Sequence, residues 1–192
     1  GAIRTNTPGA PGAAFTWENL RGVYFGLFGD GWTGRATRNS ILLAIPVTIA
    51  ATTIGVFLAW AVTRTDLPGR RGFQILFLLP MLYSPLVGVI GWTVLADPRS
   101  GLLNQFWWSI VGEGAPLLNI YSWFGIMLVM VFYFIPYVFV MNTGTFRAMD
   151  PSLEEAGASS GAGLWRRLTW ITLPLMSARI GAAALFIFTL SL

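Results

Sequence analysis

At 192 residues, 55% hydrophobic and 10% charged, the chain is far from a soluble domain, in which about a quarter of residues carry charge. All eight acids lie between the long apolar runs, the net charge of +4 comes from twelve arginines and no lysine, and cysteine and histidine are absent. That composition calls for a bilayer as solvent. It excludes disulfides, thiolate or imidazole metal ligands, Cys/His catalysis and histidine proton relays. Nucleic-acid binding is excluded as well, because the arginines are scattered beside apolar runs rather than pooled on one face.

Residues 1–39 are Gly/Pro-rich and then aromatic, without the apolar core of a signal peptide. They read as an extracytoplasmic or interfacial segment, with Thr16 capping a short helix over Trp17–Phe25. The remainder, 40–192, divides into four apolar spans. The first, Ser40–Val62, makes a helix of ~35 Å, enough to cross a ~30 Å hydrocarbon core. Thr48, Thr52 and Thr53 on it are expected to bond back to their own helix rather than to line a pore. The second span, Phe73–Leu95, is interrupted by Pro80 and Pro85. The loop Ala96–Asn119 carries interfacial aromatics (Phe106, Trp107, Trp108) and a short helix over Leu102–Val111. The third span is Ile120–Met141. The fourth begins at Leu175 and is still apolar at Leu192, which reads as a fragment. Arg179, one turn into it, is expected to snorkel to the interface.

Arginine asymmetry sets the orientation. Three arginines stand in the loop with Arg64, Arg70 and Arg71, and three in the loop with Arg147, Arg166 and Arg167, against one, Arg99, in the loop between. The first and third loops are therefore expected to face the cytoplasm; the four arginines before Ser40 run against this assignment.

The third loop, 143–174, has far more residues than the ~2–8 that join helices in most proteins. Asp150-Pro151 is a helix start, and Ser152 with Glu155 fits a capping box. On residue chemistry alone, capping is the favoured role of Glu154 and Glu155. Six glycines and alanines then fall between Ala156 and Gly163, leaving a smooth surface that another backbone can approach. In "LWRRLTWITLP", Leu164, Leu168 and Ile171 share one face of an amphipathic interfacial helix. Arg166 and Arg167 point elsewhere, toward lipid phosphates, and Pro174 restarts the chain as a span.

The residues Glu155-Ala156-Gly157, then Gly161 after three residues, then Ile171-Thr172-Leu173-Pro174 after nine more, resemble the EAA signature of ABC-importer permeases. Gly157 replaces its second alanine. A proline common some four residues after the Leu-Pro is missing, with Ala178-Arg179 in its place. The resemblance extends over Trp17–Leu192, and the early spans are similar to those of ferric iron, thiamine and polyamine permeases.

The resemblance implies an all-α, polytopic type I importer transmembrane domain in the bacterial cytoplasmic (inner) membrane. It implies that Glu155, Ala156, Gly157 and Gly161, flanked by Ala158, Ser159 and Ser160, form a coupling helix on a cytoplasmic ATPase dimer. Ile171, Leu173 and Pro174 end the motif. An extracytoplasmic solute-binding protein and a second permease domain (a copy, a paralogue or a fused half) complete the assembly in the lipid.

The chain is expected to be no enzyme and to hold no cofactor or metal. It has no phosphate-binding loop motif and no lysine to serve one, so ATP would be used by the partner. Ferric iron is the first solute expectation, with polyamine, thiamine, phosphonate and sulfate as alternatives. A proton-coupled carrier would need acids within the spans, an intramembrane enzyme convergent catalytic groups, and a scaffold neither.

Overall fold

A computed structural model describes Trp17 and residues 31–112, 114–150 and 152–192. The expected helix over Trp17–Phe25 falls outside the described residues apart from Trp17, as does Pro151. The described residues form helices and connecting turns, with no strand among them: α1 Trp32–Arg64, α2 Arg70–Leu82, α3 Pro85–Ala96, α4 Leu102–Val111, α5 Trp123–Ala148, α6 Ser152–Ser159, α7 Leu164–Arg167, a π-turn Leu168–Thr172, and α8 Leu173–Ser191. The described residues are all-α, as expected. It clusters into two units, residues 1–44 with Leu192, and Ile45–Ser191. The first is described mainly by the opening turns of α1, and the contacts below belong to the second.

Among the described residues, three helices are long and apolar enough to cross a membrane: Thr33–Arg64, Trp123–Ala148 and Leu164–Ser191. The first expected span lies inside α1, whose helix starts eight residues before Ser40. The third is shifted toward its C-terminus, because Ser122, not Ile120, starts α5: its hydroxyl accepts from Gly125 N at 3.0 Å, as an N-cap does.

The second expected span is two helices bent by 104°. Of its two prolines only Pro85 breaks the chain. Ser84 before it is extended (φ −60°, ψ 143°), as a residue preceding proline must be, and Pro85 then takes the first turn of α3, where no N–H is needed. Pro80 stays inside α2.

The fourth span differs most from expectation. Leu164–Ser191 is one continuous helical run rather than an interfacial helix followed by a restart at Leu175. The π-turn just before Pro174 keeps it continuous: Leu173 N reaches back five residues to Leu168 O. Such a widened turn absorbs the misfit that a proline imposes on the preceding carbonyls.

α5 is the hub. A Cβ on Gly55 of α1 would lie 2.6 Å from Val138 Cβ, so the absence of a side chain there is what lets the two helices touch. Phe77 of α2 meets Phe139 at 5.4 Å between ring centroids, and Trp92 of α3 meets Phe132 at 5.4 Å. α8 packs along α5 as well. Hence Phe134, Val138, Phe139 and Phe146 of α5 are buried while α2 buries nothing. The leucines, valines and isoleucines left exposed on α2 and α3 form an apolar surface that water would not tolerate at this extent and hydrocarbon does.

The loop Ala96–Asn119 has its own anchor. The expected helix is observed as α4, with the same bounds, and Asn104 on it is fully buried. Its amide donates to Asp97 O and Leu118 O, each at 2.8 Å, and its oxygen accepts from Leu118 N at 3.0 Å. One side chain thereby stitches both ends of the loop together. Asp97 caps the turn before α4, accepting from Arg99 N and Ser100 N, which holds its carboxyl below the ordinary 3.8.

Candidate partner-docking site

The EAA-like segment folds as a short helix and a hard stop. Ser152 N donates to Asp150 Oδ1 at 2.9 Å, which depresses the Asp150 pKa below 3.8 and satisfies one of the free N–H groups at the helix start. At the other end Gly161 adopts φ +79°. Ala162 N donates to Gly157 O at 3.0 Å and Gly161 N to Ala158 O at 2.9 Å. This is a Schellman stop, whose left-handed residue is nearly always glycine. The motif glycine therefore has a backbone reason to be there, one that α-helical spacing alone does not reveal.

The motif residues divide between two faces of α6. Glu155, Ala156, Ala158, Ser159, Ser160 and Gly161 are exposed. Ser159 and Ser160 turn their hydroxyls back onto Glu155 O and Ala156 O, at 3.0 and 2.9 Å, so the outward face is smooth. Gly157 instead faces inward: a Cβ there would lie 2.8 Å from Ile171 Cδ1 and 3.4 Å from Arg167 Cγ. The two ends of the motif, Gly157 and Ile171, thus pack on each other. Leu173 is half-buried and Pro174 exposed.

The inward face is anchored by Glu154, for which the sequence offers only a capping role. Its carboxylate takes part in the one salt bridge among the described residues, Arg64 Nη1 to Glu154 Oε2 at 3.5 Å, with both side chains largely buried (15% and 13% exposed). Its other oxygen accepts from Thr172 Oγ1 at 2.6 Å. Arg64 Nη2 donates to Phe146 O at 2.7 Å and Met149 O at 2.8 Å, carbonyls that the end of α5 leaves without helical partners. Arg167 Nη1 reaches Glu154 O at 3.4 Å. Arg167 is therefore turned onto α6, which corrects its placement toward lipid phosphates; the shared cause is the bare backbone at Gly157 that its stem lies against. Arg166 is exposed as expected.

Aromatic contacts lock the next turn. Trp165 stacks on Phe57 of α1 (6.3 Å, 5°) and lies 6.0 Å from Trp60, whereas Trp170 stays open. Leu168 is buried, Ile171 half-buried and Leu164 exposed.

Arg64 also brings the first and third loops to one end of the molecule. A cleft of about 320 Å³ there is lined by Thr63, Arg70, Arg71, Gln74 and Arg147. Arg179 lies seven residues past Thr172, ~10 Å along the helix, and is exposed. In the spans, Tyr133 and Tyr137 share a hydrogen bond at 3.2 Å. With Tyr83 at the α2–α3 break, Tyr133 faces a pocket of about 170 Å³ that also includes Trp92. The hydroxyls of Thr48 and Thr52 are buried without a partner, against the expectation that they bond to their own helix.

No family model matches the chain. The curated proteins similar to it are transport permeases. The galactooligosaccharides transport system permease of Bacillus subtilis (strain 168) is 25% identical over 165 residues, covering 84% of this chain and 37% of that protein. The ferric transport system permease of Actinobacillus pleuropneumoniae is 29% identical over 168 residues (86% and 24%). The sulfate transport system permease CysT of Escherichia coli (strain K12) is 31% identical over 160 residues (82% and 54%).

The fold matches a chain of a bacterial ABC transporter that imports the polysaccharide alginate, with TM-score 0.69 at 20% identity (85% of this chain, 58% of that one). It also matches a chain of the alginate transporter in complex with its pentasaccharide-bound periplasmic protein, with TM-score 0.72 at 18% identity (90% and 65%). The chain is a relative of ABC transporter permeases. It spans between about a quarter and about half of the length of the curated permeases just named. These relatives are transport proteins rather than enzymes. Its relatives include an inner membrane ABC transporter permease of Escherichia coli (strain K12), and several helices among the described residues are long and apolar enough for a multi-pass membrane protein.

Proposed function

We propose that the chain is part of a permease subunit of an ATP-driven importer, and that α6 is its docking helix for a cytoplasmic ATPase. The observation that carries this is the division of α6 into two faces. The outward one, Glu155, Ala156, Ala158 and Ser159 running on to Ser160 and Gly161, is short, capped and smooth. The inward one is tied to the ends of α1 and α5 and to the start of α8. A helix that enters a groove on a partner needs the first face, and transmission of the partner's motion as a rigid body needs the second.

In this reading the Arg64 and Arg147 loops face the cytoplasm, ATP is bound and hydrolysed by the partner, and a second permease domain completes the pathway in the lipid. An extracytoplasmic binding protein delivers solute, a role supported by the periplasmic protein in the alginate complex. Ferric iron is the solute to test first, supported by the 29% identity to the ferric permease. The 31% identity to the sulfate permease supports an oxyanion as the next.

The chain has no cysteine, so Ser159→Cys is the one thiol within it, and in the full-length protein any cysteine outside these residues is replaced to make the label unique. In native membranes it should react only from the cytoplasmic side and crosslink to an ATP-binding subunit. Labelling from outside would overturn the orientation, and cytoplasmic labelling without a crosslink would overturn the docking role.

A further inference from the structure

We infer that Arg64 is a positioning residue that fixes the angle of α6 to the membrane helices, through a shared carboxylate on Glu154. The inference deepens the docking role proposed above and rests on it for its functional consequence; the geometry belongs to this chain alone. Arg64 is the last residue of α1, yet its guanidinium binds nothing of α1. Of its two terminal nitrogens, Nη2 takes two carbonyls at the end of α5, Phe146 O and Met149 O, and Nη1 takes Glu154 on α6. Glu154 then hands its second oxygen to Thr172 in the π-turn that opens α8. Four elements meet at a single ion pair.

The placement is mechanically specific. α6 is eight residues long and none of its apolar side chains is buried, so apolar packing does not fix its direction. Helices this short do not hold themselves in water either. The polar contacts on its inward face, with the Gly157–Ile171 contact, supply the constraint. A planar, forked cation can reach three acceptors at once, which a point-charge ammonium cannot do with the same geometry.

The pair is largely buried, so removing one partner leaves the other's charge uncompensated. Thr172 adds a second feature. Its one hydroxyl proton faces both Glu154 Oε1 at 2.6 Å and Arg167 O at 3.3 Å, and the shorter contact to a charged acceptor prevails. Glu154 thereby draws the π-turn toward α6, and displacement of α6 is felt by α1, α5 and α8 together.

The test uses the full-length protein in lipid nanodiscs, with a spin label on Ser159→Cys. In Arg64→Gln and Glu154→Gln the label should become more mobile. The double variant should be no more mobile than the worse single one, since both remove the same link. Thr172→Val, which keeps volume and deletes one bond, should loosen it partially and serves where Arg64→Gln does not insert. Unchanged label motion in Glu154→Gln and Thr172→Val would overturn the inference.

With the ATP-binding subunit added, Arg64→Gln should still bind it, since the outward face is intact. Solute moved per ATP hydrolysed should fall roughly 2- to 30-fold, the span expected of one member of a coupling network. Loss of binding in step with transport would place Arg64 in the docking surface instead and overturn the positioning role. If no ATP-binding subunit binds even the wild-type chain, the docking proposal fails while the label measurement still decides the clamp.

Discussion

Gly161 separates a backbone role from a surface role, because the two rank its substitutions in opposite order. The residue sits at φ +79° with no atom within 4 Å of a Cβ built on it. Alanine there meets no neighbour, and its whole cost is conformational. An L-residue in the left-handed region costs roughly 1–2 kcal/mol, and asparagine less, because its side chain bonds locally to the backbone. One to two kcal/mol is about 5- to 30-fold in the population of the correctly stopped helix. The assay is binding of the ATP-binding subunit to full-length Gly161→Ala, Gly161→Asn and Gly161→Arg, each checked for membrane insertion. If the Schellman stop matters, apparent affinity should rank glycine, then asparagine, then alanine, with the alanine loss within that 5- to 30-fold range. If the flat surface matters, alanine, the smaller group, should outperform asparagine. Gly161→Arg should abolish binding and uptake in either case while insertion persists. Equal binding by the glycine, alanine and asparagine forms would refute the backbone argument outright.

Asn104→Ala should leave Leu118 O and Leu118 N without their Asn104 partner, while Asp97 O keeps its bond from Gly101 N, and cost about 1–3 kcal/mol for polar groups left unpaired, read as faster amide exchange across residues 97–119. Gly55→Leu drives a side chain into Val138 and should lower the thermal unfolding temperature of the purified protein, the overpacking cost being on the order of 1–3 kcal/mol. Arg166→Gln should leave ATPase binding and α6 order unchanged, whereas Arg167→Gln should loosen α6 because it removes the contact to Glu154 O; equal behaviour of the two would contradict the separation seen here. The Asp150 cap is held in its charged form with its pKa depressed below 3.8. Its contribution is therefore present above the ordinary carboxyl range and is lost only as pH falls through the depressed value. Motion of a label at Ser159 should accordingly stay constant from about pH 7 to pH 5 and rise only in stronger acid.

Much of the architecture is legible because the bilayer writes it in composition. Long apolar runs, and the helix over Leu102–Val111, stand out from the segments between them. What escapes has a common physical origin. Proline position does not distinguish Pro80, accommodated within a helix, from Pro85, which takes a helix start; that depends on whether the chain before it is held extended. The continuous fourth helix escapes because a π-turn changes the repeat by one residue for a single turn, too briefly to leave a periodic trace.

The polar knot escapes for a deeper reason. Arg64 and Glu154 lie ninety positions apart in the chain, and each has an adequate local explanation: a cytoplasmic-side arginine after a span, and an acid in the first turn of a helix. Thr172 fills the variable place in the Ile-x-Leu-Pro ending, where a motif asks nothing of it. In the proposed docking reading, the exposed residues of the signature, Glu155, Ala156 and Gly161, belong to the surface offered to a partner. The residues that hold that surface at a fixed angle lie one position outside it, inside its gap, or on another helix altogether. If motion passes from partner to membrane through α6, the contacts that carry it need to be as stiff as the docking face is smooth. In this chain the stiffness rests on Arg64, Glu154 and Thr172, whose ranks in a mutational scan should depend on transport per ATP rather than on partner binding.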